Sequence, residues 1–131
     1  MGGVIEMSRG ADFALRLFHS LFYLRHNGRR QEHLASLGLD LRDKRVLEVG
    51  AGVGDHTTFF VDRNCSVFAL EARADNCEAF QVNFQMGQYK KPTSVQLLQG
   101  DLMSSYHKIP GTFDIVYCYG FLYHVADPAA A

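Results

Sequence analysis

A short apolar run that ends in clustered glycine constrains this chain most. In RVLEVGAGVGDHTTFF, residues 45–60, Gly50, Gly52 and Gly54 alternate with Ala51 and Val53 directly after Val49. A strand ending at Val49 must turn sharply into the helix predicted over 55–62, and glycine supplies the dihedrals for that turn. Lacking a Cβ, it also lets a ligand lie against the backbone, at a helix N-terminus with unpaired N–H groups.

The segments that follow fix the fold class. SVFAL (66–70), SVQLL (94–98) and TFDIVYCY (112–119) read as strands, and DNCEAFQVNFQM (75–86) reads as a helix. Asp75 is placed to cap that helix, with Glu78 three residues on and Gly87 as its stop. Strands alternating with helices at this spacing form βαβ units, and right-handed crossovers give an α/β, Rossmann-like open parallel sheet. The glycine turn then lies at the carboxyl end of the first strand, where such sheets bind ligands.

Two helices are predicted ahead of the sheet. ADFALRLFHSLFYLRH (11–26) carries Phe13, Leu17, Leu21 and Leu24 on one stripe and Leu15, Phe18 and Phe22 on another, so it is expected to be buried on two sides. Gly28 is read as its stop. RRQEHLASL (29–37) is the second helix, ended by Gly38. Residues 1–44 form a helical lead-in and 45–131 a cofactor-binding half-domain, together one compact unit.

Composition narrows the class further. The chain has 131 residues and a net charge of −1, unevenly spread. Residues 11–45 hold seven Lys/Arg against four acids (+3), and residues 46–131 hold five against nine (−4). The basic front is a weak pointer to an anionic partner, read in the first instance as a solvated helical face. The near-neutral total argues against tight nonspecific nucleic-acid binding. No apolar run approaches the roughly 20 residues that span a bilayer, so no membrane partner and a cytoplasmic location are expected. Cys65, Cys77 and Cys118 lack metal or disulfide spacing and read as small apolar residues. His19, His26 and His33 recur every seven residues, too far apart for one ion, and no metal is expected.

The loop also selects among ligands. The dinucleotide fingerprint is G-x-G-x-x-G, whereas here the third glycine comes one residue early and Asp55 takes its place. A carboxylate at the helix entry repels a pyrophosphate, so a ligand without phosphates suits the loop better. Glu71 ends the second strand 21 residues after Gly50, placed to accept two ribose hydroxyls. Asp101, in LLQGDLM, can accept from an adenine amine while Leu102 packs on the ring. A nicotinamide-dinucleotide oxidoreductase domain is the competing reading, and a non-catalytic cofactor-binding or assembly module a third.

As a set in this order and spacing, VLEVGAGVG, VFALEAR, LLQGDLM and FDIVYCYGFLYHVADP resemble class I S-adenosylmethionine-dependent methyltransferases over residues 45–128. The resemblance implies S-adenosylmethionine as cofactor and methyl transfer by in-line displacement, where positioning carries much of the rate. It implies that Gly50, Ala51, Gly52 and Gly54 pass under the methionine part, with Glu48 orienting the loop and approaching the cofactor amino group. It implies Glu71, with Ala72 beside it, at the ribose, Asp101 and Leu102 at the adenine, and Tyr119 and Gly120 near the methyl group. His124 is the candidate general base, since histidine titrates near neutrality, while Tyr123 beside it reads as packing. His56, or His26 with Asn27, is expected over the cofactor's carboxylate end. The acceptor is expected to be a small molecule, with nucleic acid or protein as alternatives.

The family sheet has seven strands, so the resemblance implies order 3-2-1-4 here with the remaining strands missing. Cofactor binding can then survive where catalysis does not. DPAAA reads as a helix start, with Asp127 as cap and Pro128 first in the helix. The fourth strand is expected to be an exposed apolar edge, with self-association through that edge or through helix 11–26.

Overall fold

A computed structural model describes residues 6–86, 94–119 and 126–131. Its four strands are β1 (Arg45–Val49), β2 (Ser66–Glu71), β3 (Val95–Gln99) and β4 (Ile115–Tyr117). They pair in parallel in the order β3-β2-β1-β4, the order the resemblance implies. The helices are α1 (Arg9–Phe18), α2 (Leu21–Ser36), α3 (Thr57–Val61), α4 (Ala74–Met86) and α5 (Leu102–Ser105).

Register decides what each sheet face carries. Val46 aligns with Val67 and Ile115, and Val67 with Val95. These side chains meet Phe59 and Phe60 of α3 and Phe80 and Phe84 of α4 in one buried cluster. Burying a phenylalanine there is worth roughly 1.5–3 kcal/mol. Two residues along the same face come Glu48, beside Ala69 and Tyr117, so the apolar face ends in polar groups at the carboxyl edge. A second cluster joins Ala11, Ala14 and Leu15 of α1 to Ala79 and Val82 of α4 and to Val53 of the glycine turn. The lead-in is thereby packed on the sheet's own helix layer.

The structure corrects several expectations. The first helix breaks at His19–Ser20 and not at Gly28, which lies inside α2. Ser20 is extended (ψ 154°) and its Oγ accepts from the Tyr23 N–H, as Ser8 Oγ does from Ala11 at α1. A side-chain cap that satisfies an orphan N–H outweighs the modest cost of glycine within a helix. The two apolar stripes are not both buried: α1 buries Ala11, Ala14 and Leu15, while Phe13, Leu21 and Phe22 are more than 60% exposed. Glu78 does not close a capping box on its own helix. It accepts instead from Ser8 N–H (2.8 Å) and Ser8 Oγ, and so helps hold the start of α1. Asp75 lies within the first turn of α4 and not ahead of it.

The helix predicted over 55–62 shortens to Thr57–Val61, because Asp55 and His56 still belong to the turn. The strand predicted over 112–119 shortens to three residues, edge-paired with β1 alone among the described residues. Asp127 and Pro128 open a single 3-10 turn, with no side-chain bond from Asp127. Gly38 has φ +65° just past α2, as its expected role as a stop requires. Gly87 lies outside the described residues. Among the described residues, no helix is long and apolar enough to cross a membrane.

Candidate functional site: the carboxyl edge of the sheet

The glycine turn is built by positive φ angles. Gly50, Gly52 and Gly54 have φ of +75°, +59° and +87°, which L-residues with a Cβ rarely adopt. At Gly54 a Cβ would also meet the Phe80 and Phe84 rings at 2.7–2.9 Å. The third glycine therefore serves the packing of the turn on α4.

Most of the turn's N–H groups are already bonded within the protein. Gly50 and Ala51 donate to the Leu70 carbonyl (2.9 and 3.1 Å), Gly54 donates to Ala51 O (3.0 Å), and Gly52 donates to Glu71 Oε2 (2.8 Å). A phosphate cradle requires such groups to be free. Asp55 adds a carboxylate at the helix entry. Its Oδ1 bonds His19 Nε2 (3.0 Å) and Asn83 Nδ2 (2.9 Å), and its Oδ2 is enclosed with no partner among the described residues. The site suits a nucleoside without phosphates and disfavours a dinucleotide.

Two buried carboxyls floor this edge. Glu71 takes three donors: Gly52 N–H, Arg73 N–H (3.1 Å) and the Asn76 amide (3.1 Å). A carboxylate offers about four acceptor positions, so one remains for a ligand hydroxyl without displacing a protein group. Glu48 has one donor, the Thr57 hydroxyl. Burial pushes its pKa up to about 8, the Thr57 bond opposes this, and the Glu71 charge adds to it. Close to Glu71, burial also raises the Cys77 thiol to about 11, which makes it a weak nucleophile.

The lead-in reaches the same edge through polar side chains. His56 Nε2 lies 2.9 Å from Asn27 Oδ1, and Nδ1 lies 2.6 Å from the Tyr117 hydroxyl. An amide oxygen only accepts, so Nε2 carries the hydrogen and Nδ1 accepts from Tyr117. Burial, and then the Arg30 charge, hold the His56 pKa below its usual value, against an opposing pull from Asp55. Burial likewise raises the Tyr117 pKa, so the phenol stays protonated. Gln31 donates to the Asp55 carbonyl (3.0 Å), and the Arg30 guanidinium lies 4.8 Å above the Tyr119 ring.

The residues singled out in the sequence divide accordingly. Glu48, Gly50, Ala51, Gly52, Gly54, His56, Glu71 and Tyr119 cluster at the carboxyl edge. Asp101 is exposed after β3, where its side chain caps α5 by accepting from Met103 N–H (3.4 Å). Leu102 is half-buried and opens α5, and Ala72 is exposed beyond β2. Of the pair His26 and Asn27, only Asn27 turns to the site. His26 is exposed and bonds the Phe22 carbonyl through Nδ1 (2.8 Å). Gly120, Tyr123 and His124 lie outside the described residues. Sequence reading did not single out Tyr117, Arg30, Gln31, Asn76 or Asn83. Each acts across the fold and carries no local motif. Among the described residues no group of three or more His, Cys, Asp or Glu could hold a metal ion.

Comparison with known proteins accords with this geometry. A family model described as "Methyltransferase domain" matches residues 46–131. The ubiquinone biosynthesis O-methyltransferase of Psychrobacter arcticus is 27% identical over 99 residues, 76% of this chain and 38% of that protein. The chain thus spans well under half the length of this curated relative. Among solved structures, the N-terminal domain of EvdMO1 with SAH bound is 28% identical, with a TM-score of 0.63 over 79% of this chain and 42% of that one. A protein from Methanococcus maripaludis, described as a putative S-adenosyl-L-methionine-dependent methyltransferase, shares the fold at 18% identity and a TM-score of 0.68, over 98% of this chain and 59% of that one. With two thirds of its length matched by the family model and a sheet of the order the motifs imply, the chain belongs to the methyltransferase-domain family, in its class I, S-adenosylmethionine-dependent branch.

Proposed function

We propose that this chain is the cofactor-binding portion of an S-adenosylmethionine-dependent methyltransferase acting on a small-molecule acceptor. One observation carries the reading: Glu71 is buried at the end of β2 and bonded to the Gly52 N–H, so the glycine turn and the acidic strand end form one unit. The Gly50, Ala51 and Gly54 N–H groups are likewise bonded within the protein and are not free to cradle a phosphate.

When bound, S-adenosylmethionine supplies an electrophilic methyl group on a sulfonium centre. Glu71 accepts from a ribose hydroxyl at its remaining acceptor position, and Glu48 faces the cofactor's amino group. Asp101 and Leu102 hold the adenine, and Ala72 lies beside the sugar. Ala51 and the three glycines let the methionine portion lie against the backbone. Tyr119 with Gly120 borders the methyl group, and His56, fixed by Asn27 and Tyr117, borders the carboxylate end. His124 is proposed as the base that takes the acceptor's proton. The name of the Psychrobacter relative favours an oxygen nucleophile as acceptor. A cytoplasmic setting suits the three free cysteines, and the exposed β4 edge supports self-association, read by sedimentation.

Calorimetric titration with S-adenosylhomocysteine and, separately, with NAD tests the reading. Saturable binding of the first with none of the second is expected; binding of NAD alone overturns it.

A further inference from the structure

The lead-in helices turn an apolar and basic face away from the protein. On α1, Phe13 and Leu17 lie opposite the buried Ala11, Ala14 and Leu15, and they are 67% and 42% exposed. On α2, Leu21 and Phe22 are 72% and 63% exposed, opposite the inward-facing Asn27. The two strips adjoin at the His19–Ser20 corner, between Leu17 and Leu21. Large side chains left in water on two consecutive helices mark an interaction surface.

Charge identifies what fits that face. Helical spacing puts Arg9 and Arg16 beside Phe13, and Arg25 and Arg29 in line with Leu21. Arg16 is bonded to Asp12, while Arg9, Arg25 and Arg29 make no hydrogen bond or ion pair among the described residues. Against these four arginines the face carries only Asp12 and Glu32. A second copy docking through the same patch would set arginine against arginine, which is destabilising at an apolar contact. An anionic lipid surface matches both features at once: aromatic and leucine side chains enter the headgroup boundary while arginines meet lipid phosphates. The acidic remainder of the chain, −4 over residues 46–131, then orients this face toward the membrane.

We propose that the outer face of α1 and α2 is a peripheral docking surface for anionic lipid bilayers. The absence of a spanning run does not bear on this, because an interfacial helix lies in the membrane plane.

Flotation of the chain with vesicles of phosphatidylcholine, with and without phosphatidylglycerol, tests the proposal at low and at physiological salt. The chain is expected to float with the anionic vesicles and to weaken as salt rises. Arg25→Gln with Arg29→Gln lowers the partition coefficient about 25-fold, from about fivefold per arginine. Leu21→Ser with Phe22→Ser abolishes flotation, and Val116→Ser, on the distant sheet edge, leaves it unchanged. Circular dichroism confirms that the variants are folded. Failure of the intact chain to float at low salt overturns the proposal, as does equal binding by the arginine variant. A dimer in sedimentation that Leu21→Ser with Phe22→Ser disperses, without vesicle binding, assigns the face to a second copy instead.

Discussion

The ends of β1 and β2 carry the same functional group in contrasting states. Glu48 and Glu71 lie on one sheet face, one strand apart, and both are buried. Glu71 is met by three N–H donors from the glycine turn, the following loop and α4. Glu48 is met by one hydroxyl, and burial drives its pKa up to about 8. An acid's place in the chain does not set its charge; the donors that fold around it do. The end of β2 is therefore an acceptor already met by three donors, and the end of β1 is held neutral until something cationic approaches.

Removing the better-satisfied carboxyl should do the most damage. Glu71→Ala leaves buried N–H groups of Gly52 and Asn76 without their acceptor, at a cost of about 3–5 kcal/mol in urea unfolding. On the proposed function it also weakens S-adenosylhomocysteine binding by about tenfold to a hundredfold. Glu71→Gln is expected to fall between the two. An alanine variant as stable as wild type would break the contrast between the two carboxyls.

Glu48 sharpens it through pH. Its folded pKa, about 8, lies above the ordinary carboxyl value of 4.5. Its contribution to stability is therefore fully present below pH 4.5 and lost as pH rises toward 8, by at most about 1.4 kcal/mol per unit. Unfolding measured at intervals across this window should show that decline, and Glu48→Gln should flatten it. If Glu48 faces the cofactor's ammonium, binding deprotonates it. Titration of S-adenosylhomocysteine in buffers of differing ionisation enthalpy should then register proton release that Glu48→Gln removes.

The turn between the two carboxyls gives a smaller effect. Gly54→Ala forces a Cβ at φ +87° against the Phe80 and Phe84 rings, for an expected loss of about 2 kcal/mol read by denaturant titration. Gly28→Ala, inside α2 with open space around it, is the control and should stabilise by up to about 1 kcal/mol.

What sequence made legible, and what it did not, follows from the range of each interaction. Strand and helix alternation, the glycine turn and Glu71 are local patterns, and the sheet order came with the motifs. The break at Ser20 was misplaced because Gly28 is the louder symbol, although a serine cap satisfies a donor and glycine only costs propensity. Two apolar stripes on residues 11–26 say that a helix is apolar on two sides, not that protein lies against both. The Asn27–His56–Tyr117 chain joins residues 29 and 61 positions apart, a separation that leaves no periodic trace. The state of Glu48 was hidden for the same reason, since burial is a property of the assembled layers.

His56, half-buried at the same edge, is a further titratable group, and it extends the comparison with the opposite sign. It is not exposed, its two ring nitrogens are engaged by neutral partners, and Arg30 adds like charge, so desolvation again wins over the Asp55 carboxylate. Its folded pKa is depressed, so its contribution is present above the ordinary value of 6.5 and is lost as pH falls through the folded value. On acidification Glu48 pulls stability upward while His56 pulls it downward, and in the native chain the two partly cancel. The Glu48→Gln background uncovers the His56 contribution: its stability should fall as pH drops below 6.5. Adding His56→Ala should lessen that fall. Parallel pH profiles for the single and double variants would mean that His56 is protonated as readily folded as unfolded. The hydrogen bonds from Tyr117 to the ring and from the ring to Asn27 would then not hold the ring neutral.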